Sequence, residues 1–298
     1  MPGGLEASLV SLEEQSVQFR FTVSAGFGFR GNHVETAGLD STGNGTQVPE
    51  HQHQVTMDMM SIQPSFTFAA LEDWNLEVLL PLRLMQRKAK IVPIDEMTDE
   101  ELEAAQSNLD IHHPSKTLKG VGDLAVMFRS RTPDVPWSWG VTLPTGTTEE
   151  DPYVLGADHL AHEHVQFGTG TVVPRLEYRA LNDGWITMVA LMAPVYANRH
   201  GFTAPPELTL FSARRGQLTD VITWTLGASA RAQGYGDWNG TRDINTGYGA
   251  LVADAGLSWN TESGTFHLGA TFPLAQRLWQ DGSDAFELGP SVAFSFAP

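Results

Sequence analysis

The sequence predicts an all-β chain, an antiparallel transmembrane β-barrel of about 12 strands with long extracellular loops and one short loop helix. The first observation is an apolar period of two. From Val17 to Phe29 the odd positions read Val17, Phe19, Phe21, Val23, Ala25, Phe27 and Phe29. The even positions read Gln18, Arg20, Thr22, Ser24, Gly26, Gly28 and Arg30. In a strand these sets point to opposite faces. The second observation is length: such runs reach about 13 residues, whereas sandwich strands average ~5–6 and a tilted spanning strand needs ~9–11. The third is that short turns and long loops alternate along the chain.

Strands are expected at 16–30, 53–70, 74–91, 118–131, 137–147, 165–181, 185–199, 206–214, 219–234, 246–260, 264–279 and 285–297. The first is justified by the alternation above. The second and third are separated by the turn Glu72-Asp73, and the fourth and fifth by Thr132–Pro136. Asn182-Asp183-Gly184 divides the sixth from the seventh, which is apolar on both faces. The eighth follows Pro205-Pro206, and Arg215–Leu218 leads into the ninth. Thr261–Gly264 joins the tenth to the eleventh, where Phe266, Leu268, Ala270, Phe272 and Leu274 share the oily face. The last carries Phe286, Leu288, Val292, Phe294 and Phe296 on that face. Trp74, Trp137, Trp139, Trp185, Trp259 and Trp279 lie near strand ends, where amphipathic rings favour a membrane interface. An even count places both termini on the periplasmic side, so the expected location is the bacterial outer membrane and the expected surroundings are lipid and lipopolysaccharide. Residues 1–15 are read as a periplasmic segment or plug and 16–298 as one barrel domain. Met1–Gln15 lacks the basic start and apolar core of a secretory signal, so the chain is expected to be a mature form.

Charge is unevenly spread. The chain carries 18 Lys+Arg against 35 Asp+Glu, a net charge of −17, and no cysteine. Missing cysteine excludes disulfide scaffolds and thiolate metal sites. Acidity argues against a nucleic-acid partner, which needs clustered cations. Most of the excess lies in Asn32–Gln52, Val92–Thr117 and Thr148–Val165, read as three loops. In them or at their edges stand eight of the ten histidines. His51, His53, His112, His113, His159, His162 and His164 are the candidate metal ligands, with His33 in the same acidic setting. Imidazole with carboxylate suits a divalent transition metal such as zinc or copper, and the methionines Met57, Met59 and Met60 would suit copper(I). The alternative is that the histidines are solvated loop residues.

On the polar face the alternation places Arg20, Arg30, Arg83, Arg87, Arg129, Arg131, Arg175, Arg179, Arg231 and Arg277, with Glu77, Asp123, Glu177, Asp254 and Glu287. An Arg-rich lumen below an acidic mouth can select solutes. The alternative is that these charges pair across strands and brace the wall. Inward-folded loops or Leu5–Gln15 are expected to plug the lumen in part. Thr98-Asp99-Glu100-Glu101 reads as a capping box that opens a helix running to Gln106. Gly26-Phe-Gly-Phe-Arg-Gly31 matches a dinucleotide fingerprint but sits inside a strand with no helix after it.

Gly120-Val121-Gly122-Asp123-Leu124 is followed by Met127-Phe128-Arg129, then Leu143-Pro144-Thr145-Gly146, then Gly168-Thr169-Gly170. In this order the motifs resemble the outer-membrane transporter family named for the meta-pathway of phenol degradation. The resemblance implies one barrel and passage of small organic molecules, and it supplies no catalytic residue. No nucleophile elbow occurs, and His267 has only Ser229 or Ser258 as possible neighbours in the strands, with no arrangement that requires them to meet, so no enzyme activity is expected. The reading is an outer-membrane channel for a small organic compound or a metal ion. Its rival is a closed barrel that serves as a scaffold for a protein partner at the periplasmic or outer face.

Overall fold

The computed structural model describes residues 17–132, 136–279 and 285–298. The strands are β1 (Val17–Leu39), β2 (Gly45–Leu71), β3 (Trp74–Leu79), β4 (Leu82–Pro93), β5 (Lys116–Val121), β6 (Leu124–Ser130), β7 (Trp137–Leu143), β8 (Val173–Asn182) and β9 (Trp185–Met192). They continue with β10 (Phe202–Thr203), β11 (Glu207–Gln217), β12 (Ile222–Gln233), β13 (Gly236–Trp238), β14 (Thr241–Asp243), β15 (Tyr248–Thr261), β16 (Gly264–Leu278), β17 (Ala285–Glu287) and β18 (Ser291–Ala297). Helix α1 (Asp99–His112) lies between β4 and β5, and α2 (Pro152–Ala157) between β7 and β8.

β1 pairs with β2 on one side and with β17 and β18 on the other, so the sheet closes. β3 and β4 are one strand broken at Leu80-Pro81, β5 and β6 are one broken at Gly122-Asp123, and β17 and β18 are one broken at Leu288–Pro290. Counted so, the barrel has 12 antiparallel strands. A closed antiparallel barrel with an apolar outer face is the architecture of the bacterial outer membrane, and the chain is a barrel of that kind. β10, β13 and β14 form a small separate sheet. The N-terminal plug reading falls on residues outside those described.

The alternation holds through Gly26 and then reverses. Between Gly26 and Phe29 the register of β1 against β2 shifts, as an inserted residue requires. Gly28 there adopts φ +65°, which an L side chain rarely tolerates. Asp58 Oδ1 accepts the bulged Gly28 N–H at 2.8 Å. Phe27 thus stays outside, 48% exposed, while Phe29 turns inward, 2% exposed, and Arg30 turns out. The expected outward Phe29 and luminal Arg30 are therefore both corrected by one inserted residue. A second shift between Leu251 and Val252, opposite Pro273 and Ala275, puts Arg277 outside with Trp279. Leu288 packs inward on the cluster of Phe29 and Met57, because the strand breaks at Gly289-Pro290. Glu287, in register with Arg30, is exposed, as is Arg131 at the Asp73 turn.

Asn32–Gln52 is wall and not a loop. β1 and β2 run on as a hairpin whose turn is tied by the Asp40 carboxylate, which accepts from Thr42 and Asn44. β2 alone has 27 residues. At ~3.3 Å per residue that is roughly 90 Å of strand, well beyond the ~9–11 residues needed to span. Its outward residues change accordingly, from Phe68, Phe66, Ile62 and Met60 to Asp58, Thr56, Gln54 and Gln52. The hairpin therefore projects past the membrane. α1 has the expected capping box and runs past Gln106 to His112. Burial extends it: Ala104 and Ala105 cluster with Val48 of β2, Ile91 of β4 packs on that cluster, and Leu109 is buried one turn on. Residues 165–172 and 193–199 are not strand, and the segment from 144 to 172 folds into the barrel.

A candidate metal centre in the barrel mouth

The interior is layered. Nearest the short turns, Arg129 pairs with Glu77 through Nε and with Glu177 Oε2 through Nη1 at 2.7 Å. Arg179 donates to the same Glu177 oxygen at 2.8 Å, and Arg175 stands 3.6 Å from its other oxygen. Arg20, Arg231 and Asp254 also face inward. In this layer the charges pair across strands, so the bracing alternative describes its geometry.

Above it Phe29, Val55, Met57, Met85 and Phe167 form an apolar cluster. Four of these come from β1, β2 and β4, but Phe167 belongs to the inward segment. What holds that segment is Asp123. Its Oδ1 accepts from Gly146 N at 2.9 Å, and its Oδ2 from Thr169 N and Oγ1 at 2.7 and 2.6 Å. Leu124 N donates to Thr145 Oγ1 at 2.8 Å, and Arg83 Nη1 donates to the Phe167 carbonyl at 3.0 Å. A Cβ on Gly146 would lie 2.5 Å from the Gly168 Cα, so the backbones can meet only as glycines. The three short Gly-rich motifs, distant in sequence, are thus one clasp.

The top layer gathers the histidines. His33 on β1 pairs in register with His53 on β2, and Glu35 with His51. After the bulge all four point inward, and His51 and His53 are 0% exposed. The C-terminal end of α1 delivers His112 and His113, and the inward segment delivers His162 and His164. Glu163 between them is pinned to the wall by Arg87, which donates from Nη1 and Nη2 at 2.7 and 3.3 Å, and by Lys116.

Three triads have ligand atoms within 4.8 Å of one another: His112, His162 and His164; His33, His53 and His113; and Glu35, His51 and His53. His162 Nδ1 donates to the Leu160 carbonyl at 2.8 Å, which leaves its Nε2 lone pair directed at His112 Nδ1, 2.9 Å away, and His164 Nε2, 3.1 Å away. A tetrahedral zinc with Zn–N of about 2.0–2.1 Å sets neighbouring ligand nitrogens about 3.3 Å apart. The observed spacings nearly match. His53 Nε2 lies 2.7 Å from Glu35 Oε1, and the fully buried His51 Nε2 and His53 Nδ1 have no hydrogen-bond partner. Burial and the neighbouring His162 push His112 down to about 4, and burial with His162 pushes His164 to about 3. His113 is lowered further still, chiefly by burial. These rings are neutral, the form that binds metal.

Seven imidazoles and Glu35 thus converge. His159 does not: it is exposed, with φ +54°, and lies by Gly45. Sequence reasoning leaves His33 out of the ligand set and misses Glu35 as a ligand, because it takes both for loop. Their i, i+2 spacing on an extended strand is the signal that could find them. Met57 belongs to the apolar cluster, Met59 packs on it, and Met60 faces out. Near the short turns Ser258 Oγ stands 2.9 Å from His267 Nδ1 inside the barrel.

Among solved structures the chain is similar to an outer membrane channel from Pseudomonas putida, at 12% identity and TM-score 0.53, over 97% of each chain. It also matches the beta domain of the Bordetella autotransporter BrkA, at 12% identity and TM-score 0.46, over 95% of this chain and 99% of that one. No protein-family model and no curated protein sequence matches it. At such identity the likeness concerns the fold.

Proposed function

We propose that this outer-membrane barrel captures a divalent transition metal, zinc, copper(II) or nickel, at its outer mouth and passes it or a small complex of it inward. The observation that carries this reading is the convergence of seven histidines and Glu35 from three distant segments onto one inner face. Mostly imidazole donors with one carboxylate suit these ions. The acidic residues in the first turn of α1 raise the local concentration of cations. Below the centre the Phe167 plug acts as a gate held by Asp123. The Asp123 clasp also supports membership of the family named for the meta-pathway of phenol degradation, because it gives that family's motif order a structural reason. A second reading, passage of a small apolar solute, is favoured by the ring of Phe29, Met57, Met85 and Phe167.

The experiment is conductance and metal flux in reconstituted bilayers. Zinc-dependent current or zinc entry into liposomes is expected, lost in the pair His162→Ala/His164→Ala. A chain that conducts no solute, with Asp123 both intact and replaced by Ala, would make it a closed scaffold.

A further inference from the structure

We infer that the mouth holds two transition-metal ions side by side, an inference that rests on the metal reading above. The donors number more than one ion can use. A tetrahedral ion takes four ligands, whereas the cluster offers seven imidazoles and a carboxylate. Two of the three triads share no ligand and lie on separate chain segments, and the third, His33, His53 and His113, links them. One group is His112, His162 and His164, built where α1 ends and the inward segment passes. The other is Glu35, His51 and His53, built on the β1–β2 hairpin, with His33 Nε2 3.8 Å from Glu35 Oε2. His113 stands between, its ring 5.1 Å from that of His164 and 5.3 Å from that of His33.

Each group has its own anchored imidazole. His162 Nδ1 is held by the Leu160 carbonyl, and His51 Nδ1 by the Pro49 carbonyl at 2.9 Å. In both rings this leaves Nε2 as the free donor, the arrangement by which outer partners orient metal ligands. Asn108 Nδ2 donates to Glu35 Oε1 at 2.7 Å and orients the carboxylate of the second group in the same way. A single ion in the His112 group leaves the buried His51 Nε2 and His53 Nδ1 of the other group without a partner, which is costly. Neither group contains a sulfur ligand, so divalent zinc, copper or nickel is the class expected and copper(I) is not.

The test uses the full chain, folded in detergent, stripped by a chelator and dialysed against zinc. Elemental analysis should give two ions per chain, and one after either His51→Ala/His53→Ala or His162→Ala/His164→Ala. Loaded with copper(II), the unaltered chain should show a half-field paramagnetic resonance signal from coupled ions, absent in each variant. Should a variant fail to fold, the stoichiometry and the half-field signal of the unaltered chain decide alone. One ion per chain with no half-field signal overturns the paired centre and leaves the metal reading standing. No saturable zinc uptake overturns both.

Discussion

Glu177 shows what single side chains do in this barrel. It is buried and shared by Arg129, Arg175 and Arg179, so its removal takes a carboxylate from three guanidinium groups inside the wall, of which Arg129 keeps Glu77. Breaking a buried ion pair on one side costs about 3–5 kcal/mol, and Glu177→Ala should lower stability by that order. Denaturant unfolding followed by gel mobility would register it. Charge of this kind is legible from alternation alone: Arg20, Arg83, Arg87, Arg129, Arg175, Arg179 and Arg231 stand on the inner face as their parity requires. Arg30 and Arg277 do not, since each follows a register shift that parity cannot anticipate. At the mouth, Arg87 is a positioning residue. Arg87→Met removes both bonds to Glu163 and frees His162 and His164, and it should weaken zinc binding at least tenfold while the barrel still folds. Titration calorimetry would measure that loss.

At the level of elements, the β1 bulge decides where the site lies. Without the register shift at Gly28, strict alternation would turn Arg30 inward and His33 and Glu35 outward, and the β1–β2 half of the centre could not exist. Gly28 holds a left-handed backbone. Gly28→Val should strain that backbone by about 1–2 kcal/mol and displace the β1–β2 half selectively. Zinc stoichiometry would then fall while the His162 group persists. Asp123 does the same for the inward segment. Asp123→Ala removes three accepted hydrogen bonds, releases Phe167 from the plug and should raise single-channel conductance. Capping chemistry makes the start of α1 legible at Thr98. Its end at His112 is not, because burial against β1 and β2 extends it and no local signal does. The hairpin reads as a loop for a similar reason: its Gly, Asn and Thr content suits a turn, yet long-range pairing makes it strand.

For the whole molecule, the net charge of −17 describes the mouth more than the wall. The strand order, the even count and the outward aromatic residues follow from period-two patterning, which closure of the sheet preserves over most of its length. The convergence of the centre does not follow, since sequence spacing says nothing about where three distant segments meet. If the centre binds metal only when folded, excess zinc adds stability to the native barrel. At a free concentration a hundred times Kd the gain is about 2.7 kcal/mol, visible as a raised unfolding midpoint that a chelator reverses.

The central claim is that the inner face of the mouth is a histidine-built metal centre. X-ray absorption at the zinc edge on the loaded, detergent-folded chain tests it most directly. The expected result is a first shell of nitrogen and oxygen at about 2.0–2.1 Å with the outer scattering of at least three imidazoles per ion. An oxygen-only shell without imidazole scattering would contradict it.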